Sequence, residues 1–325
     1  MKRYALPAGL LASVLAFPAG AQPGTDSPAQ AVPLIESGEA DKALAILNSA
    51  LEHNGNDADA HNLVCRVYLA ERRLDDAMSE CEKAASLAPD SAVNHLWLGR
   101  VLGEKADQAS FLSAYSLAKR VRSELENAAK LDPHNAEALA ALGEFDCSAP
   151  GIVGGGMDKA EVIAAQLEKV EPSRGHELRA QIAEQRKDYE TAEHELREAI
   201  RTGQHPAYQW MALASFYRRR ERWDEMVATI RSGASAAQRD KHAAGALFNG
   251  AAVLIRADRE LPTAEKMLEE YLASPNKNED APAFVAYGRL ARLEDKLGAA
   301  DAAARDRTAA LALAHDYRIG QGSRH

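Results

Sequence analysis

The sequence has few of the features that mark the more specialised classes of protein. Only 6% of its 325 residues are aromatic, and it has three cysteines, too few for a small domain that depends on many disulfides. After residue 21 no apolar run approaches the roughly 18 residues that a membrane span needs, so we expect no membrane span in the mature chain. The net charge of −9 argues against a nucleic-acid partner, because such binding depends on cationic side chains at phosphates.

Motifs for catalysis, cofactors or metals are also missing. The ten histidines are scattered, without an HExxH run or a CxxC pair, so the sequence predicts no metal site. The Gly-rich segment 149–157 lacks the Gly-Lys-Ser/Thr ending of a nucleotide-binding loop. A thiol- or carboxylate-based hydrolase is the enzyme alternative, but the sequence places no histidine beside Cys147 and shows no nucleophile elbow. We therefore predict no catalytic residues and no cofactor.

The first 21 residues have the form of a secretory signal peptide. A basic pair at residues 2 and 3 precedes a mostly apolar stretch that ends at Phe17, and Ala19-Gly20-Ala21 has the small-x-small form of a cleavage site. We expect cleavage after Ala21 and a periplasmic or secreted protein, with residues 22–33 as a flexible leader. A permanent membrane anchor is the alternative, which the short apolar run disfavours.

The remaining sequence contains a helical pattern with a period near 34 residues. Ala43 and Ala77 lie 34 residues apart, and each is followed by an apolar or thiol residue four positions later and by a small residue seven positions later. These offsets form one face of an α-helix. Pro89, Pro133 and Pro172 supply helix ends, because proline cannot continue a helix.

This pattern resembles the tetratricopeptide repeat, a pair of antiparallel helices of about 34 residues. Unit 58–91 fits best, and its matching residues are Val64, Cys65, Tyr68, Ala77, Cys81, Ala84 and Pro89. The resemblance extends over residues 34–315. It implies an all-α fold, a right-handed α-solenoid of seven to eight antiparallel helix hairpins, with residues 316–325 as a flexible tail.

Two insertions, near 106–120 and 149–157, interrupt the repeat in adjacent units. Together they resemble an exported bacterial subset of tetratricopeptide repeat proteins with a Gly-rich Ala-Pro-Gly insertion, a resemblance that implies no activity. The Gly-rich loop either folds over the neighbouring repeat, using the backbone freedom of glycine, or contacts a partner.

Cys65 and Cys81 form a candidate disulfide. Each lies midway along one helix of the same hairpin, so the antiparallel arrangement sets them at about the same height. Exported compartments are oxidising, and we therefore predict a Cys65–Cys81 disulfide. Two buried thiols in small core positions are the alternative.

The resemblance further implies a concave groove lined by the first helix of each hairpin. In that register the predicted partner-binding residues are Asn62, Arg66, Trp97, Arg100, Arg218, Arg219, Arg256 and Arg292. Arginine forks bind carboxylates at two points, unless these arginines are solvated or paired with neighbouring glutamates. We therefore expect a non-catalytic scaffold that binds a protein or peptide partner. The alternative is a chaperone-like holder of exported polypeptides, whose groove would be apolar.

Overall fold

The computed structural model describes residues 27–319, and these form a succession of helical hairpins. Within this range every regular element is helical. The α-helices are α1 (Val32–Ser37), α2 (Ala40–His53), α3 (Ala58–Ala70), α4 (Leu74–Leu87), α5 (Ala92–Gln108), α6 (Phe111–Leu131), α7 (Ala136–Ser148), α8 (Met157–Val170), α9 (Pro172–Gln185), α10 (Tyr189–Thr202), α11 (Pro206–Arg219), α12 (Trp223–Arg239), α13 (Gly245–Ala257), α14 (Leu261–Ala273), α15 (Ala283–Leu297) and α16 (Ala300–Leu313). The predicted α-solenoid of helix hairpins is confirmed.

Small residues allow the two helices of a hairpin to approach closely. Ala77, Cys81 and Ala84 of α4 are all fully buried, as their offsets of four and seven residues predict for one helix face. Within this hairpin Cys65 and Cys81 lie at disulfide distance, with their Cα atoms 5.3 Å apart. The pairing predicted from the antiparallel geometry is therefore present in the structure.

The two predicted insertions take different forms. The first lengthens one hairpin, since α5 has 17 residues and α6 has 21, against 13 and 14 for α3 and α4. The second forms a short 3-10 helix, Gly151–Val153, before α8 begins. There the backbone N–H of Gly156 donates to the carbonyl of Asp146 at 2.8 Å, and Val153 is buried. The loop also packs against α6, where a Cβ at Gly154 would lie 2.5 Å from Arg122 Cδ. It therefore folds over the neighbouring hairpin, the first of the two alternatives.

Three hydrophobic clusters follow the solenoid, and the third joins its two ends. One cluster extends from α3 to α9 and a second from α9 to α15. The third combines Ile35 and Leu47 of the first hairpin with Phe284 and Tyr317 of the last. The rings of Phe284 and Tyr317 meet edge to face with centroids 4.9 Å apart. The solenoid thus closes on itself, where the sequence had suggested an open curved face.

Polar contacts reinforce this closure. Arg66 Nε of α3 donates to Glu279 Oε1 at 2.7 Å, a contact that spans 213 positions of the sequence. Arg73 Nη1 lies 2.9 Å from Asp316 Oδ2, and His315 Nδ1 lies 2.8 Å from Asp41 Oδ1. We use "the closure" for the third cluster together with these three pairs.

The closure also accounts for how the structure differs from the predicted leader and tail. Within 22–33, a 3-10 helix occupies Pro28–Ala31 and α1 begins at Val32, and Ala31 is fully buried. Tyr317, in the predicted tail, is buried against the last hairpin. The predicted signal peptide and the end of the tail, residues 1–26 and 320–325, lie outside the described residues. None of the helices between residues 27 and 319 is long and apolar enough to cross a bilayer.

Candidate functional site

A cavity of about 690 Å³ lies among the first helices of successive hairpins. Its walls come mainly from α3, α5 and α7, with Val121 and Leu125 of α6 and Arg174 of α9, and the loop before α15 borders it. Three predicted partner-binding residues, Arg66, Trp97 and Arg100, line it together. The register of the repeat therefore brought these three side chains to one place.

Trp97 lies beside two guanidinium groups in this cavity. The Cζ atoms of Arg66 and Arg100 are 4.9 Å and 4.6 Å from the centroid of its ring, within the range of cation–π attraction. Arg66 is also engaged with Glu279 at the closure, and Arg100 Nη2 lies 3.5 Å from Glu137 Oε1. These two arginines are thus neutralised within the chain, as the glutamate-paired alternative anticipated.

The cavity carries more negative than positive groups. Its charged lining residues are Arg66, Arg100, Arg174, Glu104, Asp107, Glu137, Glu144, Glu279 and Asp280. Desolvation raises the pKa of Glu144, against the opposing effect of Arg174 and Arg100. Burial also raises the pKa of Glu177, on α9, to about 7. We call this part of the inner face the acidic cavity.

Sequence reasoning missed Glu144, although the repeat contains the signal for it. Arg66 follows Cys65, Arg100 follows Gly99 and Glu144 follows Gly143, so the three occupy the same position after the small residue of their first helices. Examining this position for acidic as well as basic residues would have identified Glu144.

A second group of charged residues lies on α11, α13 and α15. It contains the predicted residues Arg218, Arg256 and Arg292, together with Arg289, which sequence reasoning missed. We call these four residues the arginine cluster. Arg289 Nη1 donates to the carbonyl of Phe248 at 3.3 Å, and its guanidinium stacks 3.7 Å from the centroid of that ring.

The members of the arginine cluster repel one another. Burial, with the nearby charges of Arg256 and Arg292, lowers the pKa of Arg289 to about 10. Burial and the charge of Arg256 also lower the pKa of Arg218, whose Nε is buried without a hydrogen-bond partner among residues 27–319. In the same range no carboxylate forms an ion pair with Arg218, Arg256 or Arg292.

The remaining two predicted residues lie elsewhere. Arg219 donates twice to Glu184 of α9, at 2.7 Å in each case, and so joins two neighbouring helices. Asn62 is almost fully buried and lines a separate cavity of about 420 Å³ beside the 3-10 helix Pro28–Ala31. Asn62 is thus remote from the arginine cluster, whereas Arg219 lies close enough for its charge to lower the pKa of Arg218 but is neutralised by Glu184.

Two observations bear on metal binding and on thiol chemistry. Among residues 27–319 no group of three or more His, Cys, Asp and Glu side chains is placed to hold a metal ion. Cys147 is buried, and burial raises the pKa of its thiol, which disfavours the thiolate that a nucleophile requires.

The comparisons with known proteins agree with this architecture. The family model for the tetratricopeptide repeat matches residues 34–102. Yeast Tom70 is 14% identical, with 94% of this chain and 63% of that chain covered and a TM-score of 0.56. TTC0263, a tetratricopeptide repeat protein of Thermus thermophilus, is 19% identical, with 58% and 98% covered and a TM-score of 0.48. No curated protein matches the chain. The family model thus matches the first part of the chain, and the helical hairpins continue beyond that part as far as α16.

Proposed function

We propose that this protein is a non-catalytic scaffold that binds an extended segment of another protein on the inner face of its closed solenoid. The observation that carries the proposal is the 690 Å³ cavity on that face, with Trp97 at its wall. Tryptophan and arginine are the side chains that most often dominate binding energy at protein interfaces.

The closure favours an extended segment over a folded domain. Because the first and last hairpins pack against each other, the inner face cannot widen for a folded partner without breaking that packing. An extended chain needs far less room, and its ordering on a preformed surface costs only its own conformational entropy. Charged lining residues also favour a partner with a defined sequence over promiscuous apolar binding.

Site-specific photo-crosslinking tests the proposed function. We would place a photo-reactive benzoylphenylalanine at Ala140, a half-buried residue of the acidic cavity, and in a second protein at Ser232, an exposed residue of α12. After irradiation in an extract of the native host, we expect a discrete crosslinked partner from Ala140 and none from Ser232. Equal crosslinking from both positions, or none from Ala140, would contradict binding on the inner face.

We further propose that the protein is exported. The signal-like residues 1–21 support this, and so does the disulfide distance between Cys65 and Cys81, since structural disulfides belong to oxidising compartments. Protein isolated from native cells should have the mass of a chain that begins at Gln22. Unfolded without reductant, it should show one reactive thiol, from Cys147, and three after reduction. An intact leader with three thiols before reduction would reject export.

A further inference from the structure

We propose that the arginine cluster binds a stretch of acidic residues in the partner, so that it supplies the anion-recognising part of the inner face. The inference rests on the proposed function, because it assigns a chemistry to one region of the same surface. Its members are Arg218, Arg256, Arg289 and Arg292.

Placement is the first argument. The cluster lies on the first helices of three consecutive hairpins, α11, α13 and α15, in the register that predicts residues of the inner face. Arg289 is held in place by the ring and the carbonyl of Phe248. Among residues 27–319, Arg218, Arg256 and Arg292 form no ion pair with a carboxylate.

The second argument is the lack of neutralisation. The chain contains 48 acidic and 39 basic residues, so carboxylates are in excess. Three arginines outside the cluster, Arg66 on α3, Arg100 on α5 and Arg219 on α11, are each paired with one. Grouping like charges without counter-charges is unfavourable. A bound carboxylate would offset the mutual repulsion of the guanidinium groups.

Spacing selects the kind of anion. Packed helices lie about 8–10 Å apart, so arginines on neighbouring first helices can engage two carboxylates at that separation. A peptide in the polyproline II conformation advances about 3.1 Å per residue with three residues per turn, which places acidic side chains three residues apart on one face at about 9 Å. Each guanidinium fork can then hold one carboxylate at two points. An acidic peptide fits this arrangement better than a compact anion, which could occupy only one fork.

Peptide titration of the full mature chain tests the inference. Three fluorescent 12-residue peptides of the same length would be compared by anisotropy: one rich in Asp and Glu, its Asn and Gln counterpart, and one rich in Lys. We expect the acidic peptide to bind at least tenfold more tightly than its amide counterpart, with affinity that falls as salt rises. The double variant Arg218→Gln/Arg292→Gln should weaken acidic-peptide binding at least tenfold.

A matched control separates the cluster from net charge. The double variant Arg186→Gln/Arg201→Gln removes the same charge at two arginines outside the cluster that already pair with Glu161 and Glu198, and should change affinity by less than about twofold. Circular dichroism and thermal melting would confirm that both proteins are folded. Equal weakening in the two double variants, or failure of the acidic peptide to bind, would overturn the inference.

The outcome also distinguishes the inference from the proposed function. If the amide or basic peptide binds and the cluster variant binds it equally well, the inference fails and the scaffold proposal stands. If no peptide binds and Ala140 yields no crosslink, both fail. Inorganic polyphosphate would be tested as a competitor. If it displaces the acidic peptide and binds more tightly than the peptide does, the ligand is a phosphate polymer and the inference is overturned.

Discussion

The substitution Gly38→Ala should open the closed solenoid. Gly38 has a φ of +81°, and a Cβ at this position would lie 2.2 Å from the backbone nitrogen of Ala283 and 3.0 Å from the carbonyl carbon of Pro282. Both obstacles are backbone atoms of the last hairpin, so no side-chain rotation can relieve the clash. We expect the ends to separate, with a larger radius of gyration in X-ray scattering and a lower melting temperature.

Gly298→Ala provides the matched control for this variant. Gly298 ends α15 with nearly the same φ, +83°, but a Cβ at this position would meet no other atom of the described chain within 4 Å. This substitution adds only the backbone strain of a left-handed residue, about 1–2 kcal/mol, and should leave the radius of gyration unchanged. If the two variants lose equal stability and keep the same dimensions, the closure does not depend on the contact at Gly38.

The hairpins were predictable because their determinants are local. The spacing that relates Ala77, Cys81 and Ala84 lies within one helix, and the relation between Cys65 and Cys81 follows from a single antiparallel turn. Each repeat carries these signals within about 34 residues. The sequence alone was therefore enough to predict the fold class and the cysteine pair.

The closure was not predictable in the same way. Whether Gly38 meets Ala283 depends on the small rotation between each repeat and the next, summed over the whole solenoid. The spacing of residues in the sequence does not reveal this total rotation, and the lengthened α5–α6 hairpin changes it further. The pairing of Arg66 with Glu279 is a consequence of the closure, so the sequence could not show that Arg66 is neutralised.

The charged surfaces could be predicted in part, less fully than the hairpins but better than the closure. The register predicted that Arg218, Arg256 and Arg292 face the same way, but it could not show which first-helix arginines lack a carboxylate. Arg219, next to Arg218 in sequence, is paired with Glu184 because α9 happens to place that carboxylate within reach. Separating the arginine cluster from the paired arginines thus required the packing of neighbouring hairpins.

The closure should weaken as pH rises from about 5 to 8, and Glu71→Gln should remove much of that dependence. Glu71 is fully buried, and burial raises its pKa from the ordinary 4.5 to about 7. The charged groups that act on it are Arg73, Asp41, Asp316 and His315, all part of the closure. Arg73 Nη1 lies 3.5 Å from Glu71 Oε2, too far for a hydrogen bond.

The sign follows from which state holds the proton. Between pH 4.5 and 7 the folded protein keeps the proton of Glu71 while the unfolded chain loses it, so stability falls as pH rises through this window and the penalty is complete above it. A pKa raised from 4.5 to about 7 corresponds to about 3 kcal/mol. Asp41 raises the pKa of His315, and that contribution, present at low pH, is lost as pH rises through the raised value. Ionisation of Glu71 and deprotonation of His315 therefore both weaken the closure as pH rises.

Urea unfolding and X-ray scattering at pH 4.5 and pH 8 measure the effect. Glu71→Gln should exceed the parent protein in stability at pH 8 by up to about 3 kcal/mol and match it at pH 4.5, with a radius of gyration that no longer grows with pH. Glu177→Gln is the control, because burial raises the pKa of Glu177 to about 7 as well but Glu177 lies on α9, away from the closure. Glu177→Gln should reduce the pH dependence of the free energy of unfolding, but the radius of gyration should still grow as pH rises. If instead Glu177→Gln abolishes the change in dimensions and Glu71→Gln does not, the closure is not the pH-sensitive element.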